Sequence, residues 1–105
     1  MKKFHPKIST LIITYNEVVH VDELIKHLNF VDEIIVIDAF STDGTFEKLA
    51  TYPQVKTIQR KFLNFSDQRN FAIKQATKEW ILFIDADERI TPKLKDNILE
   101  AVKNK

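Results

Sequence analysis

Short apolar runs recur along this chain and alternate with stretches in which apolar residues return every three or four positions. The runs at Ile8–Thr14, Glu33–Ile37, Val55–Ile58 and Trp80–Ile84 are rich in Ile and Val and bounded by polar turn residues, which predicts four buried strands. Between them Val18, Val21, Ile25 and Leu28 keep helical spacing behind Asn16, a good N-cap residue. Phe46, Leu49 and Ala50 predict a short second helix after Ser41-Thr42-Asp43-Gly44. Ser66 is placed to cap a third helix with Ala72, Ile73 and Ala76 on its inward face. Thr91-Pro92 opens a fourth that would bury Leu94, Ile98 and Val102, with proline where its missing N–H costs nothing.

Strands alternating with helices require right-handed crossovers, so the predicted class is α/β, a Rossmann-like, mostly parallel four-stranded sheet with flanking helices. If the second and third strands wind one way from the first and the fourth lies on its other side, the order is 3-2-1-4. The crevice at the switch point then lies between strands one and four, where open α/β sheets collect ligands at the carboxyl ends of their strands. Thr14-Tyr15-Asn16-Glu17, Asp38 and Asp85-Ala86-Asp87 all end strands there. No repeat or linker interrupts the pattern, and residues 1–105 are expected to form one domain.

The stretch Trp80-Ile81-Leu82-Phe83-Ile84-Asp85-Ala86-Asp87-Glu88 drives an apolar strand into a run of carboxylates. Two carboxylates facing a phosphate repel it by roughly 4 kcal/mol each at about 4 Å and an effective dielectric near 20, so a divalent ion has to come between them. Oxygen ligands alone point to Mg or Mn. Tyr15 is suited to stack on a base. Glu17 and Asp38 are suited to accept from a ring N–H or a ribose hydroxyl. Arg69 and Asn70, early in the third helix, would help neutralise a diphosphate. Each residue also has a plainer role: Asn16 a helix cap, Glu17 a first-turn acid, Arg69 a solvated cation, and Asp85 and Asp87 caps of a turn. Asp43-Gly44 is best explained as turn and cap chemistry.

Composition narrows the choices. A net charge of +1 gives no electrostatic footprint for nucleic acid, and no nucleic-acid partner is expected. Gly44 is the single glycine, which excludes the glycine-rich phosphate loops of dinucleotide and Walker-type sites. The absence of cysteine excludes disulfides, thiolate metal sites and thiol nucleophiles. Met1 to Lys7 is basic, but the apolar run behind it is too brief for a signal peptide or a membrane span, so a cytoplasmic location is expected. His5, His20 and His27 share no ligand spacing, and His20 and His27 are expected on exposed helix surface. Lys93, Lys95, Lys103 and Lys105 fit a solvated face.

Thr14-Tyr15-Asn16-Glu17, Val36-Ile37-Asp38-x-x-Ser41-Thr42-Asp43-Gly44-Thr45, Gln68-Arg69-Asn70 and Leu82-Phe83-Ile84-Asp85-Ala86-Asp87-Glu88 together resemble the family 2 glycosyltransferases, in order and from about Ile8 to Val102. The flavour is similar to lipopolysaccharide-core β-glucosyltransferases of bacteria. The resemblance implies a GT-A fold, a nucleotide-sugar donor, commonly a UDP-sugar, Mg or Mn as cofactor, and a saccharide or glycolipid acceptor. It implies that Thr14, Tyr15, Asn16, Glu17 and Asp38 form the nucleoside pocket, with Arg69 nearby. Asp85 would lie near the ribose and Asp87 would be the metal ligand at the diphosphate. It further implies inverting transfer in cell-surface polysaccharide or lipopolysaccharide synthesis, in the cytoplasm or at the inner face of the membrane.

Two departures accompany the resemblance. Phe40 stands where many relatives carry a small residue. The family's acceptor pocket and catalytic base also lie beyond the Asp-x-Asp region, so no residue here is assigned as catalytic and this part alone is expected to be inactive. A non-catalytic nucleotide-binding or interaction module is the alternative. A phosphohydrolase with Asp85 as nucleophile ranks third, because Arg89 stands where a hydroxyl residue would be needed. The fourth strand, apolar on both faces, is expected to leave an exposed edge that favours self-association.

Overall fold

The computed structural model describes residues 7–103; His5, Lys105 and the basic residues before Lys7 lie outside them. Four strands, β1 (Ile8–Thr14), β2 (Glu33–Asp38), β3 (Val55–Gln59) and β4 (Trp80–Phe83), form one sheet in the order β3-β2-β1-β4. Every pairing is parallel, as the crossover argument requires. The register sets Thr14 opposite Asp38, and Leu11 opposite both Ile35 and Phe83. The carboxyl ends of β1, β2 and β4 therefore open onto one rim.

The helices are α1 (Val21–Lys26), α2 (Thr45–Leu49), α3 (Phe65–Gln75) and α4 (Pro92–Lys103). Alternation along the strands splits the core in two. Ile12, Ile34 and Val36 pack with Val21, Leu24, Ile25 and Leu28 of the α1 region, Leu49 of α2, and Ile84, Ala86 and Ile90 after β4. Leu82 and Ile98 of α4 join that side. On the opposite face Leu11, Ile35 and Ile37 pack against Ala72 of α3, flanked by Ile58, Phe71 and Phe83. Each fully buried Leu or Ile contributes about 1.5–3 kcal/mol of hydrophobic stabilisation before entropy is subtracted. No helix of the described residues is long and apolar enough to cross a membrane.

Local structure departs from the sequence reading at four points. The helix expected behind Asn16 begins as a short 3₁₀ turn, Val18–His20, because Asn16 adopts left-handed backbone (φ 55°) and does not cap it. The third helix is capped two residues before Ser66, by Asn64, whose side chain accepts from the Asp67 amide. Its buried residues are Gln68 and Ala72, and Ile73 is exposed. Thr91 does cap α4, its hydroxyl accepting from the Leu94 amide, but Leu94 itself faces solvent. His20 and His27, expected on exposed surface, are half-buried.

Candidate functional site

The rim is built by two loops that hold each other. Consecutive amides after β1 donate to side chains of the loop after β2: Asn16 to Ser41 Oγ at 2.8 Å, Glu17 to Thr45 Oγ1 at 2.9 Å, and Val18 to Asp43 Oδ2 at 3.2 Å. Asn16 returns the bond, its Oδ1 accepting from the Thr42 amide at 2.8 Å. Asp43 Oδ1 takes the Thr45 amide and hydroxyl, and Gly44 supplies the left-handed residue (φ 98°) that α2 starts from. Burial would raise the Asp43 carboxyl, but its hydrogen bonds from Thr45 and Val18 outweigh that and hold it below its ordinary value. Ser41 to Thr45 is thus a fastener that fixes where Tyr15 and Glu17 emerge.

Asp38 anchors the fastener. Its Oδ1 accepts from Thr14 Oγ1 at 2.7 Å and Ser41 Oγ at 2.6 Å, and its Oδ2 from the Ser41 amide at 2.9 Å. Asp38 has no exposed surface and Thr14 almost none, so both form the floor of the rim. Tyr15, by contrast, is 57 % exposed. Thr14, Tyr15 and Glu17 line a cavity of about 390 Å³ with Ile13, Ala39, Phe62 and Phe65. Phe40, also left-handed (φ 58°) and exposed, is not among its walls; Ala39 takes that place.

A second cavity, of about 220 Å³, lies on the other side of Ile13 and Phe65 and is lined by Arg69, Phe83, Ile84, Asp85 and Glu88. The Arg69 guanidinium lies over the Phe83 ring at 4.1 Å, which aims a cation at this space. Asn70 is exposed and lines neither cavity. The turn after β4 is internally bonded: Glu88 Oε1 accepts from the Asp85 amide at 2.7 Å, and the Glu88 amide donates to Asp85 O at 3.0 Å. Asp85 and Asp87 remain exposed. Among the described residues no three His, Cys, Asp or Glu side chains gather to hold a metal by themselves. Mg is commonly held by one or two carboxylates with substrate phosphates and waters supplying the rest, and exposed Asp85 and Asp87 fit that donor set.

The structure adds residues that sequence reasoning missed as site components. Phe62 and Phe65 give no signal in the sequence because they fall in a loop and at a helix start with no apolar periodicity. Arg60 fixes that loop: its amide donates to Asp38 O, and its guanidinium bonds Asp67 and Gln68 and lies over the Phe71 ring at 4.6 Å. Buried Gln68 closes the ring, its Nε2 donating to Arg60 O at 3.0 Å.

The protein-family model described as Glycosyl transferase family 2 matches residues 9–105. An uncharacterized glycosyltransferase of Rickettsia felis is 41% identical over 93 residues, covering 88% of this chain and 32% of that protein. The glycosyltransferase SunS of Bacillus phage SPbeta is 37% identical over 101 residues, covering 93% and 24%. The lipopolysaccharide core biosynthesis glycosyltransferase LpsC of Rhizobium meliloti is 30% identical over 97 residues, covering 89% and 36%. The chain spans from just under a quarter to just over a third of the length of these relatives.

Proposed function

The chain belongs to glycosyl transferase family 2, and from that premise we propose that its carboxyl-end cleft takes the nucleotide part of a UDP-sugar for inverting transfer to a saccharide or glycolipid. The observation that carries this reading is the adjacency of two cavities that share Ile13 and Phe65 as walls. One offers an exposed aromatic ring and a carboxylate, Tyr15 and Glu17, and the other a cation and carboxylates, Arg69, Asp85 and Glu88. A base and a diphosphate need those two environments side by side.

In this reading the Tyr15 ring stacks on the base while Glu17 accepts from uracil N3–H or a ribose hydroxyl. Thr14 and Asp38 hold the floor, and Asn16 holds the Ser41–Thr45 loop against it. Asp85 lies toward the ribose, Arg69 toward the diphosphate, and Asp87 would hold Mg or Mn at the phosphate oxygens. That cation would stabilise charge developing on the leaving nucleotide. No residue is assigned as the general base that the acceptor hydroxyl requires. The proposed setting is the cytoplasm or the inner membrane face, in synthesis of cell-surface polysaccharide or lipopolysaccharide, as the LpsC relative's name suggests.

Calorimetry with UDP and GDP, each with Mn or with chelator, tests the reading. UDP should bind weakly and only with Mn, and Asp87→Ala should lose most of that affinity. Metal-independent binding, or equal affinity for both nucleotides, would overturn it.

A further inference from the structure

The turn carrying Asp85 and Asp87 is tied to the opposite side of the cleft by one guanidinium. Arg89 Nη1 donates to Ala86 O at 3.1 Å and to Glu88 O at 2.9 Å, while Nη2 lies 3.0 Å from His20 Nδ1. Arginine has no acceptor and does not deprotonate in proteins, so His20 must accept at Nδ1 and carry its proton on Nε2. That nitrogen lies 3.9 Å from Glu17 Oε1. The chain of contacts therefore runs from Glu17, on the aromatic cavity, through His20 and Arg89 to the carbonyls of the Asp85–Glu88 turn.

We propose that Arg89 and His20 are positioning residues that hold the turn so that the Asp87 carboxylate stands ready for a cation. This rests on the functional reading above only for what the turn binds; the clamp itself is geometric. Two carbonyls of the turn are fixed by Arg89, and the Asp85 amide by Glu88. Neither interaction uses a carboxylate oxygen of Asp85 or Asp87. The bonds thus order the turn while both carboxylates stay exposed, that of Asp85 on the wall of the smaller cavity. Residues that orient a metal ligand in this manner commonly account for about 10- to 100-fold in metal affinity. His20 matters because it fixes the second arm of the guanidinium. Without it Arg89 could swing with the turn and would hold it to nothing.

Two measurements on the 105-residue chain test the clamp. The first follows amide hydrogen exchange of Asp85 without any ligand. Exchange should quicken about tenfold in Arg89→Met and by less in His20→Ala, and His20→Gln, whose amide oxygen can accept from Arg89, should recover most of the protection. Unchanged exchange in Arg89→Met and His20→Ala would overturn the clamp, whatever the cleft binds. The second compares UDP with Mn against uridine alone. Arg89→Met should weaken UDP binding in the presence of Mn about tenfold while uridine affinity stays constant. Equal loss for both probes would mark a merely structural residue and overturn the positioning role. Failure of the unaltered chain to bind UDP with Mn would remove the functional reading instead, and the exchange result would still decide the clamp.

Discussion

Thr14 and Asp38 face each other at the carboxyl ends of adjacent parallel strands, paired in register and joined by a 2.7 Å bond from the threonine hydroxyl to the buried carboxylate. The pair closes the rim on which Tyr15 and Ser41 stand. Removing one donor from a buried carboxylate costs about 1–3 kcal/mol, since the freed acceptor cannot reach water. Thr14→Val should therefore lower stability by that amount in urea unfolding with little change of shape. Asp38→Ala should cost more, because it strands two hydroxyls and an amide together. Equal stability of Thr14→Val and the unaltered chain would show that Asp38 is adequately held by Ser41 alone.

At the opposite end of the sheet Glu33 joins three segments. Its carboxylate accepts from Ser9 Oγ at 2.7 Å and from the Thr77 amide and hydroxyl at 2.9 and 3.0 Å. Burial alone would raise this carboxyl, but the bonds from Ser9 and Thr77, helped by Lys78, outweigh it and leave it below its ordinary value. A depressed carboxylate contributes stability above its unfolded pKa and loses it as pH falls through the folded one. Glu33→Gln should thus cost about 1 kcal/mol at pH 7, near the lower end for charged hydrogen bonds because the group is partly solvated. That gap should begin to narrow as pH falls past the ordinary glutamate value of about 4.3 and go on narrowing through the lower folded one. Unfolding midpoints at pH 7 and pH 3 check it, and a gap independent of pH would contradict the assignment.

Phe40 holds a left-handed backbone with φ 58° while half its side chain meets solvent. A bulky residue costs roughly 1–2 kcal/mol in that region, and glycine gives back part of the saving through its freer unfolded chain. Phe40→Gly should raise stability by about 0.5–1 kcal/mol, whereas Phe40→Ala should not. A loss of stability in Phe40→Gly would mean that the ring packs usefully despite its exposure.

The sheet was legible because its signals are local and redundant: four Ile- and Val-rich runs, crossovers of one hand, and carboxylates at strand ends. The strand order followed from the same rules. Asn16 is ambiguous in sequence because asparagine serves equally as an N-cap and as a left-handed residue, and only the Ser41–Thr45 loop decides between them. Asn64 and Ser66 are both good caps, and spacing alone does not choose. Ile73 fits helical periodicity yet faces outward, since α3 turns Gln68 inward to bond Arg60. The links from Arg60 to Gln68 and from His20 to Arg89 follow no helical or strand period, so they become visible only once the chain is folded.

β4 lies at the edge of the sheet and pairs only with β1 among the described residues. Its two faces differ. Leu82 packs against the same core cluster as Ile98 of α4, so that face is shielded. On the other face Arg69 covers Phe83, but Ile81 is 42 % exposed. An apolar edge with free backbone groups is a template for pairing with another chain. We therefore expect the 105-residue chain to self-associate weakly through β4, with apparent mass rising across a light-scattering concentration series. Ile81→Lys should suppress the rise, because a charge on an edge strand must be desolvated before a second strand can approach. A mass that stays monomeric at high concentration would show that α4 and the turn after β4 protect the edge. A rise unaffected by Ile81→Lys would move the contact to another surface, the exposed Phe62, Leu63 and Phe65 being the next to test.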